Sequence, residues 1–333
     1  MGLPMFAESP SLKVYLAKRA VRSFLLVLGI ISVGFVLINL APGDPIEYVL
    51  GHHGFYTPEF IAEMRARFGL DRPIHERFLR YLLNVLTGNL GYSYVYGLPV
   101  MEVILDRVPP TILLMGSQLA LVILIGVPLG VLAARRPYSM LDGAISAVSL
   151  IGVSTPVFWL GLILIQLFSI TLGLFPAQGM FSLRATGLFE RFIDVMYHLF
   201  LPALTLVLIN LGLITRVTRA SMLEALRSEY IVAARAKGLR ERTILLKHAL
   251  RNSLLPIITI VGMQIGWMLS GAVLVETLFA WPGMGRLLFT SIEARDYPVI
   301  MGIFLLIAIS VVVSNFIVDV LYGYLDPRIR RRG

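Results

Sequence analysis

The chain has no cysteine and little charge. Without cysteine there is no disulfide scaffold, no thiolate-held zinc or iron–sulfur cluster and no thiol nucleophile. Asp, Glu, Lys and Arg make up only 15% of the 333 residues, against 57% apolar residues; soluble domains sit nearer about a quarter charged. Enzyme signatures are absent as well. No Lys is followed by Ser or Thr and no Gly by Lys, so there is no nucleotide-binding P-loop. Neither His-Glu-x-x-His nor Gly-x-Ser-x-Gly occurs. The residues supply no catalytic set and no metal site. A mean hydropathy of +0.81 excludes a disordered chain.

What is present is a series of long apolar runs. A bilayer core about 30 Å thick needs roughly 20 apolar residues in a helix. Six runs qualify: 23–41, 111–134, a stretch within Leu141–Phe175 (144–172 as a span), 199–215, 254–275 and 299–321. The first is longer than a signal-peptide core and is read as an uncleaved span. In the third, Ser154-Thr155-Pro156 interrupts the run. Basic loops belong in the cytoplasm, and Arg135-Arg136 before the third run and the basic loop after the fourth both qualify. An even number of crossings must separate them, so the third run is read as one kinked crossing. This gives an all-α membrane protein with six transmembrane helices and both termini cytoplasmic. Inner segments then hold 19 of the 29 Lys and Arg, outer ones 10. The net charge of +9 is topology and lipid attraction, not a nucleic-acid footprint.

Four parts follow: a cytoplasmic segment 1–22, span 23–41, an extracytoplasmic cap 42–110 and a core 111–333. The cap shows helical spacing over Pro58–Phe68 and Phe78–Leu86, with little core of its own. His52-His53 in it reads as a solvated pair. The loop 216–253 sets nine basic residues against three acids. It reads as two helices, Ser221–Lys237 and Arg240–Arg251, with Gly238 as a left-handed stop and Pro256 opening span five. The residues alone leave two uses equally open: a hairpin lying on anionic lipid or a docking element for a cytoplasmic partner. Buried charge is scarce; Asp142, Glu276 and Asp319 fall at span ends. Gln118, Gln166, Asn210, Gln264 and Asn315 lie in the spans and serve either interhelical hydrogen bonds or, for Gln118, Asn210, Gln264 and Asn315, a polar translocation path. A self-sufficient carrier or channel is the alternative reading; it lacks intramembrane carboxylates.

Several stretches carry a resemblance. They include Tyr230-Ile-Val-Ala-Ala-Arg-Ala-Lys-Gly-Leu239, Gly69-Leu-Asp-Arg-Pro73, Gly88-Asn-Leu-Gly-Tyr-Ser93, Pro156-Val-Phe-Trp-Leu-Gly161, Glu276-Thr-Leu-Phe-Ala-Trp-Pro-Gly-Met-Gly-Arg286 and Arg295-Asp-Tyr-Pro298. Ala41-Pro-Gly-Asp-Pro45 and Asp326-Pro-Arg-Ile-Arg330 belong with them. Over nearly its whole length the sequence resembles the B-type permease subunit of dipeptide, oligopeptide and nickel ABC importers, of the MetI-like permease type. In the family's Glu-Ala-Ala loop, Ala233, Ala234, Gly238 and Leu250 match, while Val232, His248 and Arg251 depart from the general motif toward the peptide-permease version. The resemblance implies a non-catalytic subunit in the cell's inner membrane. Its implied partners are a second related permease, two ATPase subunits that carry the ATP and Mg, and an external substrate-binding protein. Ala233, Ala234, Lys237, Gly238, Leu239, His248 and Leu250 would then form the coupling loop. Peptides are the implied cargo, with nickel chelates, glutathione and oligosaccharides as alternatives. The loop from Glu276 to Tyr297, with Trp281, Arg286 and Asp296, is expected to act either as outer gate or binding-protein contact, or as a structural plug.

Overall fold

The computed structural model describes residues 12–40, 57–67, 69–182 and 187–325. Among these residues there is no strand, only an isolated bridge between Tyr92 and Pro99. The long helices are α1 (Leu12–Leu40), α5 (Val108–Arg135), α8 (Leu188–Leu226), α10 (Glu241–Ser270) and α13 (Tyr297–Leu325). All five are long and apolar enough to cross a membrane. Prolines inside three of them, Pro128, Pro202 and Pro256, are tolerated in such helices because neighbours satisfy the freed carbonyls.

The third apolar run is two helices, α6 (Met140–Ser154) and α7 (Val157–Thr171), bent by 102°. The cause is local. Proline pushes the preceding residue out of the helical region, and Thr155 sits at φ −82°, ψ 128°. Despite the bend, the pair tracks α8 along its length. Asp142 reaches Arg219; a side chain at Gly152 would strike the carbonyl of Leu208, and one at Gly161 would touch Thr205. The Tyr197 hydroxyl donates to the Leu174 carbonyl. Contacts thus walk backward along α8, so α6 runs antiparallel to it and the bent α7 carries the chain on toward the start of α8. By contrast α5 runs parallel to α8: Gly126 faces Ile214, and Gly130 faces Thr215 and Thr218. Glycine is needed at Gly130, where a Cβ would strike the Thr215 carbonyl, because small residues let the backbones approach.

Short helices fill the two ends. At one end lie α2 (Pro58–Arg67), α3 (Ile74–Leu86), α4 (Val100–Leu105), α11 (Val273–Leu278) and α12 (Met284–Glu293). At the other end is α9 (Glu229–Ala236). The expected cap helices Pro58–Phe68 and Phe78–Leu86 appear as α2 and α3 with shifted bounds. The cap leans on the bundle: Phe78, Tyr81, Leu82 and Val85 of α3 pack on Ile31, Phe35, Met301 and Leu305 of α1 and α13. Its α4 joins a second cluster, where Val100 and Ile104 meet Met284, Leu287, Val299 and Ile303.

Several expected boundaries need correction. The helix expected over Ser221–Lys237 is two: α8 carries on from the apolar core to Leu226, then breaks at Arg227-Ser228 before α9. The helix expected over Arg240–Arg251 does not stop; it continues through a π-helical turn, Ile244–Ala249, into α10. Pro256 therefore lies inside a helix rather than opening one. The run expected to reach Val275 ends in a 3₁₀ turn at Ser270, where Gly271 at φ 68° starts a separate loop. Hydropathy cannot see these breaks, because apolar loop and apolar helix read alike. His52-His53, Ala41–Pro45 and Asp326–Arg330 lie outside the described residues.

Candidate functional site

The basic loop forms a small compact unit. Glu229 opens α9, where a negative charge suits the helix dipole. Leu239 N–H donates to the Ala234 carbonyl (3.3 Å) and Gly238 N–H to the Arg235 carbonyl (2.9 Å). With Gly238 at φ 72°, these two bonds are the glycine-stopped helix end expected at that position. Arg235 Nη2 donates to Glu241 Oε1 at 2.9 Å and straps the end of α9 to the start of α10. Both partners are about half exposed, so the strap sets geometry more than stability.

Periodicity divides the faces of α9. Ile231 and Ala234, three residues apart, are buried in one cluster with Ala134 of α5, Met222 of α8, and Ile244, Leu245 and Ala249 of α10. Leu250 packs on the same cluster. Ala233, Val232, Lys237 and Leu239 are exposed, and His248 is half-buried. The predicted coupling residues thus split between two jobs. Ala234 and Leu250 seat the element, and Ala233, Lys237 and Leu239 face outward. A force on α9 reaches three long helices through one apolar contact set.

At the opposite end the loop 271–297 is built around two buried carboxylates. Glu276 is fully buried. It accepts from Arg286 N (2.9 Å), Ala272 N (3.2 Å) and Thr111 Oγ1 (3.3 Å). Gly271, Gly283 and Gly285 line it so closely that a side chain at any of them would collide with its carboxyl or with backbone. Burial pushes its pKa above the ordinary carboxylate value, and the donors pull part of the way back. Trp281 is fully buried and its Nε1 donates to the Pro110 carbonyl at 2.9 Å. Arg286 Nη1 donates to the Ala280 carbonyl at 2.8 Å. Asp296 is also fully buried. It accepts from Ser93 Oγ, Tyr94 N (3.1 Å) and Val95 N (3.4 Å), so it ties the cap to the start of α13. Burial raises its pKa too. In this arrangement Trp281 and Asp296 hold the loop together rather than lie on its surface.

The four polar residues read as a path lie on four helices. Gln118 is buried on α5, and its Nε2 has no partner among the described residues. Asn210 Nδ2 donates to the Leu206 carbonyl within α8. Gln264 and Asn315 sit at neighbouring levels of α10 and α13, where Gly262 meets Val318 and Gly266 meets Ser314. Gln166 on α7 is exposed. The sequence reading placed Asp142 at a span end and missed its partner. Arg219 grips it with Nε and Nη2 at 2.5 and 2.6 Å. Seventy-seven residues separate the two, so no spacing rule signals the pair. Among the described residues no three His, Cys, Asp or Glu gather as a metal site.

Residues 126–331 match the family model described as "Binding-protein-dependent transport system inner membrane component". That span takes in the end of α5, the α9 unit and the two-carboxylate loop. The chain belongs to this family. As a family member it is a multi-pass inner-membrane component, and a companion model for the N-terminal part of such membrane components covers residues 12–115, including α1 and the cap. The oligopeptide transport system permease protein AppB of Bacillus subtilis is 42% identical over 321 residues, covering 95% of this chain and 98% of AppB. The di/tripeptide transport system permease protein DppB of Pseudomonas aeruginosa is 42% identical, covering 91% and 95%. The dipeptide transport system permease protein DppB of Escherichia coli is 39% identical, covering 92% and 95%. Among solved structures, the inward-facing MetNI methionine ABC transporter matches with a TM-score of 0.53 at 19% identity, over 68% of this chain and 97% of that one. That likeness establishes the permease fold. The family members are membrane components of transport systems.

Proposed function

We propose that this chain forms one half of the translocation pathway of an ATP-driven peptide importer. It crosses the membrane six times, the bent pair α6–α7 counting as one crossing, with both termini in the cytoplasm. A second related permease forms the other half. Two ATPase subunits, which carry the ATP and Mg, dock on the α9 unit, and an external binding protein delivers the cargo. The oligopeptide and dipeptide permeases among its relatives support peptide as the cargo.

The observation that carries the reading is the α9 unit. Its outward face presents the small side chain of Ala233, which permits close backbone approach by a partner groove. Its inward face is wedged among α5, α8 and α10. Closure of a docked ATPase pair would move α9 as a rigid body and tilt those helices together, which is how a packed bistable bundle switches between two openings. External ligand biases that switch only through different affinity for the two states.

The test is a gentle pull-down of the tagged chain from native membranes, with mass spectrometry of what accompanies it. Recovery of ATPase polypeptides and a second multi-span subunit is expected. Recovery of the chain alone, under conditions that keep a control ABC complex whole, would overturn the reading.

A further inference from the structure

A cavity of about 450 Å³ opens between the cap and the outer ends of α1 and α13. Its walls have two chemistries. Arg72, Arg77 and Arg80 line one side, and among the described residues no Asp or Glu lines it. Phe35, Ile38 and Met301 line the other. Among the described residues no carboxylate pairs with Arg77 or Arg80, and Arg72 meets Glu76 only at 3.9 Å. Three guanidinium groups in one cavity, with only Arg72 loosely paired among the described residues, call for an anion.

Helix α3, which carries Arg77 and Arg80, has three sides. Phe78, Tyr81, Leu82 and Val85 face the bundle. Arg77, Arg80 and Asn84 face the cavity. Leu79, Leu83 and Leu86 form a third stripe, exposed at 58, 63 and 74%. An exposed leucine stripe beside a basic stripe is the pattern of a helix lying in the membrane surface. Burial pushes the Tyr81 hydroxyl up to about 12, so it stays a neutral donor beside the arginines.

From this juxtaposition we infer that the cavity is a binding site for an anionic phospholipid. The phosphodiester sits among Arg72, Arg77 and Arg80, and an acyl chain lies against Phe35, Ile38 and Met301. A free phosphate would use the arginines but not the apolar wall. An acidic segment of a soluble protein would leave the leucine stripe uncovered. Because α3 packs on both α1 and α13, the lipid would brace the first and last spans against the cap.

The full-length chain, purified in mild detergent and titrated with phosphatidylglycerol, provides the test, read as lipid adducts by native mass spectrometry. Wild type should hold one molecule in preference to phosphatidylcholine. Arg77→Gln with Arg80→Gln should weaken it roughly ten- to thirtyfold, since each surface cation contributes about one decade or less. Arg135→Gln with Arg136→Gln, at the other end of α5, should leave it unchanged. The Arg80→Gln single variant, at an exposed position, serves if the double variant melts early. Equal retention by wild type and the cavity variants would overturn the site. Displacement of the lipid by inorganic phosphate or glycerol phosphate at comparable concentration would overturn the lipid and leave a simple anion site. Phosphatidylcholine holding as well as phosphatidylglycerol would overturn the role of charge.

Discussion

A carboxylate removed from water must be answered by donors, and Glu276 is answered mainly by backbone. That explains three glycines within fifteen residues: the chain folds back over the carboxyl so closely that no Cβ fits at Gly271, Gly283 or Gly285. Because burial raises the folded-state pKa of Glu276 above its ordinary 4.5, the folded protein holds this proton more tightly than the unfolded chain does. That contribution to stability is complete below about the ordinary value and is lost as the pH rises through the folded value. Glu276→Gln cannot titrate. The melting temperature in detergent, followed from pH 4 to 8, should therefore show a shallower decline with pH in the variant than in wild type. Identical profiles would sink the idea. At this scale the local sign is weak: a lone Glu276 five residues before Trp281-Pro-Gly-Met-Gly. It could not say that Thr111, 165 positions away, supplies a donor.

Helix α9 is too short to be stable alone, so its position is decided by what it packs on. Ile231 and Ala234 point into the cluster with Met222 and Ile244, while Ala233 points out. Two adjacent alanines therefore predict opposite phenotypes. Ala234→Trp overpacks the cluster and should cost about 1–3 kcal/mol of stability, seen as a lower melting temperature in detergent. Ala233→Trp should shift stability by less than about 0.5 kcal/mol and abolish peptide uptake by the assembled transporter while the ATPase subunits still turn over. Normal uptake with Ala233→Trp would remove the coupling face from Ala233. Gly238 was readable as a stop because only glycine sits easily at its positive φ. The break at Arg227-Ser228 was not readable, because nothing between Ser221 and Lys237 is a strong helix breaker and tertiary packing ends the helix. For the same reason the π-helical turn at Ile244–Ala249 left no mark in the sequence.

At the scale of the molecule, the direction of each helix carries the argument. Helices α5 and α8 run parallel, so the chain between them has returned to its starting end. The bent pair α6–α7 makes that return, tied to α8 near one end by Asp142–Arg219 and near the other by Tyr197 and Leu174. The cysteine-free chain is its own background for a topology test. A single Cys at exposed Tyr96 should react with a membrane-impermeant maleimide added outside intact cells. A single Cys at exposed Lys237 should react only after the membrane is opened. Both positions labelled from the same side would overturn the proposed arrangement.

The sequence by itself determined the class of the protein. Apolar runs of bilayer length demand helices, since in lipid every backbone group must be satisfied within its own segment, and the motifs from Gly69 to Arg286 pointed to the family. It also fixed the small-residue character of α9 and the stop at Gly238. The tertiary structure decided the rest: where α8 breaks, how sharply α6 and α7 bend, which alanine faces out, and that Glu276 and Asp296 are buried clasps. It also brought Arg72, Arg77 and Arg80 against Phe35, Ile38 and Met301. These depend on contacts between residues far apart in the chain, and hydropathy and local spacing hold no record of which distant residues meet.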